Sequence, residues 1–277
     1  MSLTVKGYAK LNLWLDITGY RGDGYHTLNT VMRRIDLYDD VTVETRSGGD
    51  INITCNFPSV PTDGWNIVYR AAMAFFEKMG KSVGLSVDIY KRIPVGAGLG
   101  GSSADGAAVL TALNELCGRP LDLHELCTLG ATLGADVPFC IAGGTAKCTG
   151  IGDIMQPIDC TDLAVVVAVP EFECSTAKAY QRYDAEPFPE KPGFDAFCSG
   201  IRNDRSFLAA NMYNVFAQLY ADQRIEELRR KLLSVGAEGA CMTGSGSAVF
   251  GVFPDIDAAR EAAGKLGDCT KFAVRAI

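Results

Sequence analysis

Histidine is almost missing from this chain, which has 2 histidines among 277 residues. Its 10 cysteines include no C-x-x-C pair, although the usual zinc frameworks combine such pairs with further cysteine or histidine ligands. The composition therefore argues against a metal framework and against a disulfide framework. Because free thiols persist in a reducing compartment, we expect a cytoplasmic protein.

Long apolar runs and an excess of positive charge are missing as well. No stretch approaches the length of about 18 apolar residues that a membrane-spanning helix needs, and the N-terminal sequence MSLTVKGYAK has no signal-peptide core. The formal net charge of -7 disfavours nucleic-acid and membrane-surface partners. Any phosphate that the chain binds is then expected to be met by local donors. We also expect a small-molecule partner and a monomer or weak homodimer.

Glycine and serine are concentrated in the segment PVGAGLGGSSADGAA, Pro94 to Ala108, and a helical pattern follows directly. Glycines let the backbone reach positive φ and approach an anion closely. A helix that begins at the paired serines offers unpaired N–H groups and the positive end of its dipole at one place. The segment therefore predicts a phosphate-binding loop, in which a side chain at Gly101 would occupy the place of the phosphate. Whether Ser102 or Ser103 contacts the phosphate stays open.

The class of loop follows from its context. A Walker-type loop needs lysine directly before the serine, where this chain has Gly101. Gly96, Gly98 and Gly101 match dinucleotide spacing, but the predicted strand before them ends in a basic pair and a proline. No acidic residue follows at the tip of a second strand, as that fold requires. A dinucleotide oxidoreductase therefore ranks last, and a structural glycine turn is the remaining alternative.

Hydrophobic periodicity predicts an α+β fold in which strands lead and helices dominate the second half. The predicted strands are Thr4 to Ile17, Val31 to Arg46, Asp50 to Cys55, Leu85 to Tyr90, Leu163 to Val169, Gly239 to Thr243 and Ala248 to Phe253. The predicted helices are the one that follows the glycine-rich segment, Trp65 to Met79, Leu123 to Leu133, Ser175 to Arg182, Arg205 to Tyr220, Arg224 to Ser234 and Ile256 to Leu266. A hairpin-like return near Gly144 to Ile158 precedes a domain boundary that divides the chain into residues 1–158 and 159–277.

Lys10 and Asp136 are the candidates for chemistry beside a bound phosphate. Lys10 and Asn12 share one face of the first strand, because side chains alternate along a strand. A solvated lysine on an edge strand is the alternative. Asp136 stands between GA and VPF, an acid in apolar surroundings, and its alternative role is a helix N-cap.

The spacing of Pro94 from Gly98-Leu99-Gly100-Gly101-Ser102-Ser103 resembles the central motif of the GHMP kinases. Three further blocks resemble those of one family within them, the 4-diphosphocytidyl-2-C-methyl-D-erythritol kinases. These blocks are Ala9 to Val31, Gly134 to Asp153 and Thr243 to Phe253. The resemblance implies a two-lobed α+β GHMP fold. Its N-terminal lobe is ribosomal-protein-S5-like and binds ATP, its C-terminal lobe is ferredoxin-like, and the active site lies between the lobes.

The resemblance also implies the reaction, an ATP-dependent phosphorylation of the 2-hydroxyl of 4-diphosphocytidyl-2-C-methyl-D-erythritol in the non-mevalonate isoprenoid route. Asp136 takes the hydroxyl proton, and Lys10 lies close enough to keep Asp136 ionised and to offset phosphoryl charge. Mg²⁺ is expected with ATP, and its ligands stay unassigned. The residues expected to bind ATP are Lys91, Pro94, Gly96, Gly98, Leu99, Gly100, Gly101, Ser102 and Ser103, with Lys91 at the edge of the adenine pocket.

Substrate choice is expected to depend on Gly24-Tyr25-His26 and on Pro170 to Tyr180. The resemblance implies that Tyr25 and Tyr180 stack on the cytosine ring and that His26 reads its polar edge. A satisfied loop histidine is the alternative for His26. The remaining residues expected to bind substrate are Asn12, Thr176, Gly244 and Ser245. The alternatives are another GHMP small-alcohol kinase, of mevalonate or homoserine type, and a catalytically silent ATP-binding relative. Retained Lys10 and Asp136 argue against the silent relative.

Overall fold

Strands and helices are interspersed in the computed structural model, which describes residues 1–172, 174–186, 191–220, 222–267 and 269–277. Glu173, inside the predicted substrate segment, lies outside these residues. The strands are β1 (Ser2–Tyr20), β2 (His26–Arg46), β3 (Ile51–Cys55), β4 (Gly84–Tyr90), β5 (Thr145–Thr149), β6 (Ile154–Pro157), β7 (Ala164–Val169), β8 (Tyr213–Asn214), β9 (Gly239–Met242), β10 (Val249–Phe253) and β11 (Thr270–Arg275). The helices are α1 (Ile67–Met79), α2 (Gly101–Leu116), α3 (Leu123–Ala131), α4 (Val137–Ala142), α5 (Thr176–Ala185), α6 (Phe194–Gly200), α7 (Arg205–Asn211), α8 (Val215–Tyr220), α9 (Gln223–Ser234) and α10 (Ile256–Lys265).

The described chain packs as two compact units, each assembled from separate stretches of sequence. The first unit comprises Met1–Ala9, Leu37–Val95 and Gly100–Gly143. The second unit comprises Lys10–Asp36, Gly96–Leu99 and Gly144–Ile277. The adjacent strands β1 and β2 each contribute residues to both units. The predicted division into residues 1–158 and 159–277 stays a prediction.

In the first unit, β3 pairs in parallel with β4, and β4 pairs antiparallel with the second half of β2. Helices α1 to α4 pack against one another, with Phe75 and Phe139 among the fully buried side chains. Gly7 of β1 lies so close to α2 that an added Cβ would come within 2.7 Å of Ala104 O. This close approach holds the first turn of α2 against the start of the chain.

The second unit contains a four-stranded antiparallel sheet in the order β11-β7-β10-β9. Every residue of β7 is buried, as expected for an apolar central strand, and α9 and α10 contact this sheet. Elsewhere in the unit, β8 pairs in parallel with β1 at Trp14 and Leu15, and β5 pairs antiparallel with β2. The turn between β9 and β10, Thr243–Ser247, carries the third GHMP-like block and is called the β9–β10 turn below.

The α+β class is confirmed, and one predicted helix is wrong. The pattern from Arg205 to Tyr220 indicates a single helix, whereas the structure has α7, the short strand β8 and α8. Asn214 explains the break, because its Nδ2 donates to Met242 O and Gly244 O at 2.8 and 2.9 Å. The sequence reading also omitted α4, α6 and β11. Among the described residues, no helix is both long enough and apolar enough to cross a bilayer.

Candidate active site

The glycine-rich segment adopts a backbone suited to an anion. Gly96, Gly98 and Gly100 have positive φ values of 70°, 79° and 74°. Gly100 is the N-cap of α2 and provides no side-chain cap, so the helix begins at Gly101. The first helical hydrogen bond runs from Ala104 N to Gly100 O at 2.9 Å. The three amides that precede Ala104 have no acceptor within the helix, which is the geometry that binds phosphate.

Gly98 brings this segment against the β9–β10 turn within the second unit. An added Cβ on Gly98 would come within 2.3 Å of Thr243 O and 3.0 Å of Gly246 O. Ala248 N also donates to Ala97 O at 3.1 Å. Because these contacts are made by backbone atoms, only glycine permits the approach. Two of the GHMP-like sequence blocks therefore meet directly.

Gly101 faces a different neighbour from the one expected. An added Cβ there would lie 3.0 Å from Ile93 Cγ2 and 3.3 Å from Lys91 Nζ. The Cα–Cβ direction at a helix start points back along the helix, toward the residues that precede the loop. A side chain at Gly101 would therefore contact Ile93 and Lys91, and the expectation that it would fill the phosphate position stays a prediction.

Lys10 and Asn12 form the centre of a buried polar cluster in the second unit. Lys10 Nζ donates to Asn12 Oδ1 at 2.8 Å, and the two residues are only 4% and 3% exposed. Lys10 N donates to Leu99 O at 2.9 Å, which ties the strand to the glycine-rich segment. The predicted shared face is confirmed, and the alternative of a solvated lysine is wrong.

Asn12 holds three parts of the second unit together. Its Oδ1 accepts from Gly244 N at 3.1 Å, and its backbone N donates to Thr243 Oγ1 at 2.9 Å. Its Nδ2 donates to Thr30 Oγ1 at 2.9 Å on β2. A buried amide with this many partners has one preferred orientation. The direction in which Lys10 extends is therefore set by β2 and the β9–β10 turn.

Asp136 is the N-cap residue of α4 in the first unit. Its backbone is helical, with φ of -82° and ψ of -14°, and its side chain makes no cap hydrogen bond. The residue is half-buried, and Val137 and Pro138 beside it are buried. The N-cap alternative is therefore right about the position of Asp136 and wrong about capping.

His26 is the centre of an aromatic cluster in the second unit. Its ring stacks on Tyr180 at 4.8 Å between centroids and 28° between planes. Tyr20 and Tyr183 contact the His26 ring edge-on at 5.2 and 5.9 Å. His26 Nε2 lies 2.7 Å from Asp184 Oδ1. Because a carboxylate is an acceptor, Nε2 carries a proton in this arrangement.

Tyr25 does not take part in that stack. Its side chain is 59% exposed, so the ring that faces Tyr180 in this structure is His26. Beside the cluster, Thr176 Oγ1 lies 2.7 Å from Ser245 Oγ, which joins the start of α5 to the β9–β10 turn. The predicted substrate residues of the second unit thus converge, whereas Tyr25 stands out toward solvent.

Lys91 lies in a buried ionic cluster of the first unit. Its Nζ contacts Asp39 Oδ2 at 2.5 Å and Asp105 Oδ2 at 2.7 Å, and all three side chains are at most 5% exposed. Desolvation raises the pKa of Asp105 to about 7, a rise that Lys91 opposes and Asp39 increases. The predicted contact of Lys91 with ATP stays a prediction. In this structure the Lys91 ammonium contacts two carboxylates.

Sequence reasoning missed the residues that support these clusters. Asn214, Asp184 and Thr30 hold the β9–β10 turn, His26 and Asn12 respectively. An asparagine inside the apolar pattern MYNVFAQLY was a usable signal for Asn214, because a buried amide needs partners. Within the described part of the chain, no group of three histidine, cysteine or carboxylate side chains is placed to hold a metal ion.

Known proteins resemble this chain over nearly its whole length. The model of the GHMP kinase N-terminal domain matches residues 66–144, and that of the GHMP kinase C-terminal domain matches residues 208–270. The 4-diphosphocytidyl-2-C-methyl-D-erythritol kinase of Alkaliphilus metalliredigens is 41% identical over 262 residues, covering 93% of this chain and 90% of its own. That of Clostridium botulinum (strain Eklund 17B / Type B) is 42% identical over 258 residues, covering 92% of both chains.

Solved structures agree with these relatives. A crystal structure of 4-(cytidine 5'-diphospho)-2C-methyl-D-erythritol kinase matches with a TM-score of 0.80 and 32% identity, covering 99% of both chains. Homoserine kinase from Cytophaga hutchinsonii has a TM-score of 0.79 at 18% identity, which shows the shared fold. By its sequence and its fold, the chain belongs to the GHMP kinases and, within them, to the 4-diphosphocytidyl-2-C-methyl-D-erythritol kinase family.

Proposed function

We propose that this small-molecule kinase transfers the γ-phosphoryl group of ATP to the 2-hydroxyl of 4-diphosphocytidyl-2-C-methyl-D-erythritol, a step of non-mevalonate isoprenoid synthesis. The observation that carries the proposal is the Asn12-centred cluster, which joins Lys10, the glycine-rich segment and the β9–β10 turn. Relatives named 4-diphosphocytidyl-2-C-methyl-D-erythritol kinase align with more than nine-tenths of the chain at about 40% identity.

ATP is the phosphoryl donor of GHMP kinases, and the glycine-rich segment fits its phosphates. Positive φ at Gly96, Gly98 and Gly100 and the open amides at the start of α2 form a cradle without side chains. Mg²⁺, when bound with ATP, would offset negative charge on the phosphates. Its protein ligands stay unassigned, since no group of three histidine, cysteine or carboxylate side chains marks a site among the described residues.

Asp136 and Lys10 divide the chemistry. Asp136 would accept the proton of the substrate hydroxyl, a role that the family resemblance implies and that its half-buried position at the start of α4 supports. Lys10, oriented by Asn12, would offset the charge that develops on the transferring phosphoryl group. Phosphoryl transfer depends on positioning and electrostatics, and a fixed ammonium serves both.

The His26 cluster would recognise the cytosine of the substrate. With Nε2–H directed to Asp184, a neutral His26 presents Nδ1 as an acceptor, which suits the exocyclic amino group of cytosine. Tyr25, exposed in this structure, and Tyr180 would supply flat surfaces for the base. Asn12, Thr176, Gly244 and Ser245 would surround the remainder of the substrate.

An ADP-release assay on a substrate panel tests the proposal. The panel contains 4-diphosphocytidyl-2-C-methyl-D-erythritol, mevalonate, homoserine and galactose at equal concentrations. We expect ADP release with the cytidine substrate and background rates with the other three. Release with mevalonate or homoserine alone would assign the protein to another GHMP small-alcohol kinase, and release with none would favour a silent ATP-binding relative.

A further inference from the structure

The buried ionic cluster of Asp39, Lys91 and Asp105 has no part in the chemistry described above. Its three members come from β2, from the residue after β4 and from the second turn of α2. Their side chains are 0%, 4% and 5% exposed, respectively. Charges so deeply buried need partners, because an uncompensated charge in the interior is strongly destabilising.

The cluster also fixes the chain that leads into the phosphate-binding segment. Asp39 Oδ1 accepts from Arg92 N at 2.5 Å and from Ile93 N at 2.8 Å. Asn56 brackets the backbone of Lys91, accepting from its N at 2.7 Å and donating to its O at 3.2 Å. Residues 91–93 are therefore held by side chains immediately before Pro94.

Asp105 holds the other end of the same segment. It lies just after Ser103 in α2 and accepts from Lys91 Nζ at 2.7 Å. The ammonium also lies beside the helix start, since an added Cβ on Gly101 would be 3.3 Å from Lys91 Nζ. One lysine thus connects the residues before the segment with the helix after it.

The same contacts leave Lys91 little to offer ATP. Its ammonium is shared by two carboxylates, so its charge is compensated within the cluster. Asp105 Oδ1 has no hydrogen-bond partner among the described residues, so removing Lys91 would leave this carboxylate without its one cation. Asp39 is less dependent on Lys91, because two backbone amides already serve it.

We propose that Asp39, Lys91 and Asp105 form a positioning clamp that fixes both ends of the phosphate-binding segment, and that Lys91 influences ATP affinity through this clamp without touching ATP. This inference rests on the proposed function. The clamp sets where the amides at the start of α2 stand relative to the chain that enters the segment. ATP binding depends on that separation, whereas recognition of the alcohol substrate does not.

A double-mutant cycle tests the clamp with Lys91→Met, Asp105→Asn and the two combined. The melting temperature and the Kd for ATP by calorimetry are measured for each. Lys91→Met leaves the buried carboxylates without their cation, so we expect Tm to fall by roughly 5 to 15 °C. We expect ATP affinity to fall on the order of 10- to 100-fold through misplacement of the loop, with KM for the alcohol within about twofold.

Adding Asp105→Asn to Lys91→Met should recover most of both losses, because the amide removes a charge and can donate to Asp39. Asp40→Ala is the matched control, since Asp40 is the neighbouring aspartate and pairs with Arg92 at the surface. We expect no change in Tm or Kd for this variant.

Equal losses of ATP affinity from Lys91→Met with and without Asp105→Asn would overturn the clamp and indicate direct contact with ATP. If Lys91→Met does not fold, folding of the double variant supports the clamp, and failure of both variants to fold contradicts it. The Tm cycle needs no activity. A wild-type protein that binds no ATP would refute the proposed function. The melting temperatures would still show whether Lys91 and Asp105 stabilise the fold as a coupled pair.

Discussion

Two buried lysines, one in each unit, are oriented by different groups. Lys10 donates to the neutral amide of Asn12, whereas Lys91 contacts the carboxylates of Asp39 and Asp105. The amide oxygen of Asn12 orients the Lys10 ammonium without adding a charge of its own, whereas two buried carboxylates compensate the charge of Lys91. The comparison teaches that burial alone does not mark a lysine as catalytic, and that the partners decide whether its charge can act on a substrate.

The largest effect on kcat is expected at Asp136, the candidate general base. Asp136→Asn should lower kcat by roughly 10² to 10⁴-fold, because the amide cannot accept the hydroxyl proton. The Kd for ATP should stay nearly unchanged, since Asp136 has no role in holding the phosphates. Steady-state kinetics with ATP calorimetry measures both, and a kcat within a few-fold of wild type would remove Asp136 from the mechanism.

A second substitution makes the Lys10 site resemble the Lys91 site. Asn12→Asp adds a carboxylate against Lys10 and should lower kcat by roughly 10- to 100-fold, since the added negative charge weakens the attraction between the ammonium and the transferring phosphoryl group. Asn211→Asp on α7 makes the same exchange at an exposed position and should leave kcat unchanged. A normal kcat for Asn12→Asp would show that the charge of Lys10 is not used.

The third prediction uses pH to test the protonation of Asp105 within the clamp. With a pKa of about 7, folded Asp105 keeps a proton between about pH 4 and pH 7 that the unfolded chain has released. By linkage, the contribution of Asp105 to the free energy of unfolding falls as pH rises through that window. The charged or titratable groups that face Asp105 are Lys91, Asp39 and Cys55.

Asp105→Asn removes that titration. The free energy of unfolding of the variant, relative to wild type, should therefore increase between pH 5 and pH 8 by on the order of 2 kcal/mol. Urea denaturation at the two pH values measures the change. A difference that is independent of pH would contradict a buried proton on Asp105.

The smallest expected effect lies outside both lysine sites. Tyr25→Ala should weaken binding of the alcohol by about 1 to 3 kcal/mol, the range for a lost base–aromatic stack, with ATP binding unchanged. CDP should compete with the alcohol better than UDP, because an acceptor placed for the cytosine amino group is left unpaired opposite a carbonyl. Equal inhibition by CDP and UDP would move the assignment toward another small-alcohol kinase.

Local patterns predicted much of the fold. The alternation along β1 placed Lys10 with Asn12, and the glycines marked the segment that enters α2, because both features depend on neighbouring residues. The single helix from Arg205 to Tyr220 failed because Asn214 is claimed by carbonyls of the β9–β10 turn. Such long-range hydrogen bonds override local propensity and leave no periodic trace in the sequence.

The candidate site shows the same division. The sequence indicated which residue types could bind phosphate. It did not indicate the partners of Lys91, because Asp39 lies 52 positions away in the chain. The stack of His26 on Tyr180, with Tyr25 outside it, likewise depends on how α5 packs within the second unit. Sequence reasoning placed Lys10 beside Asn12 and missed Asn214, Asp184 and Thr30, whose partners lie far away in the chain.

The most direct test compares Lys10→Met with Lys91→Met in single-turnover transfer at saturating ATP. The account predicts that Lys10→Met is slower than wild type by roughly 10² to 10³-fold even when ATP is saturating, because a charge used in the transition state is lost. Lys91→Met should recover to within about 10-fold of wild type once ATP saturates, since its defect lies in binding. The reverse result, a normal rate for Lys10→Met and a persistent loss for Lys91→Met, would contradict the account.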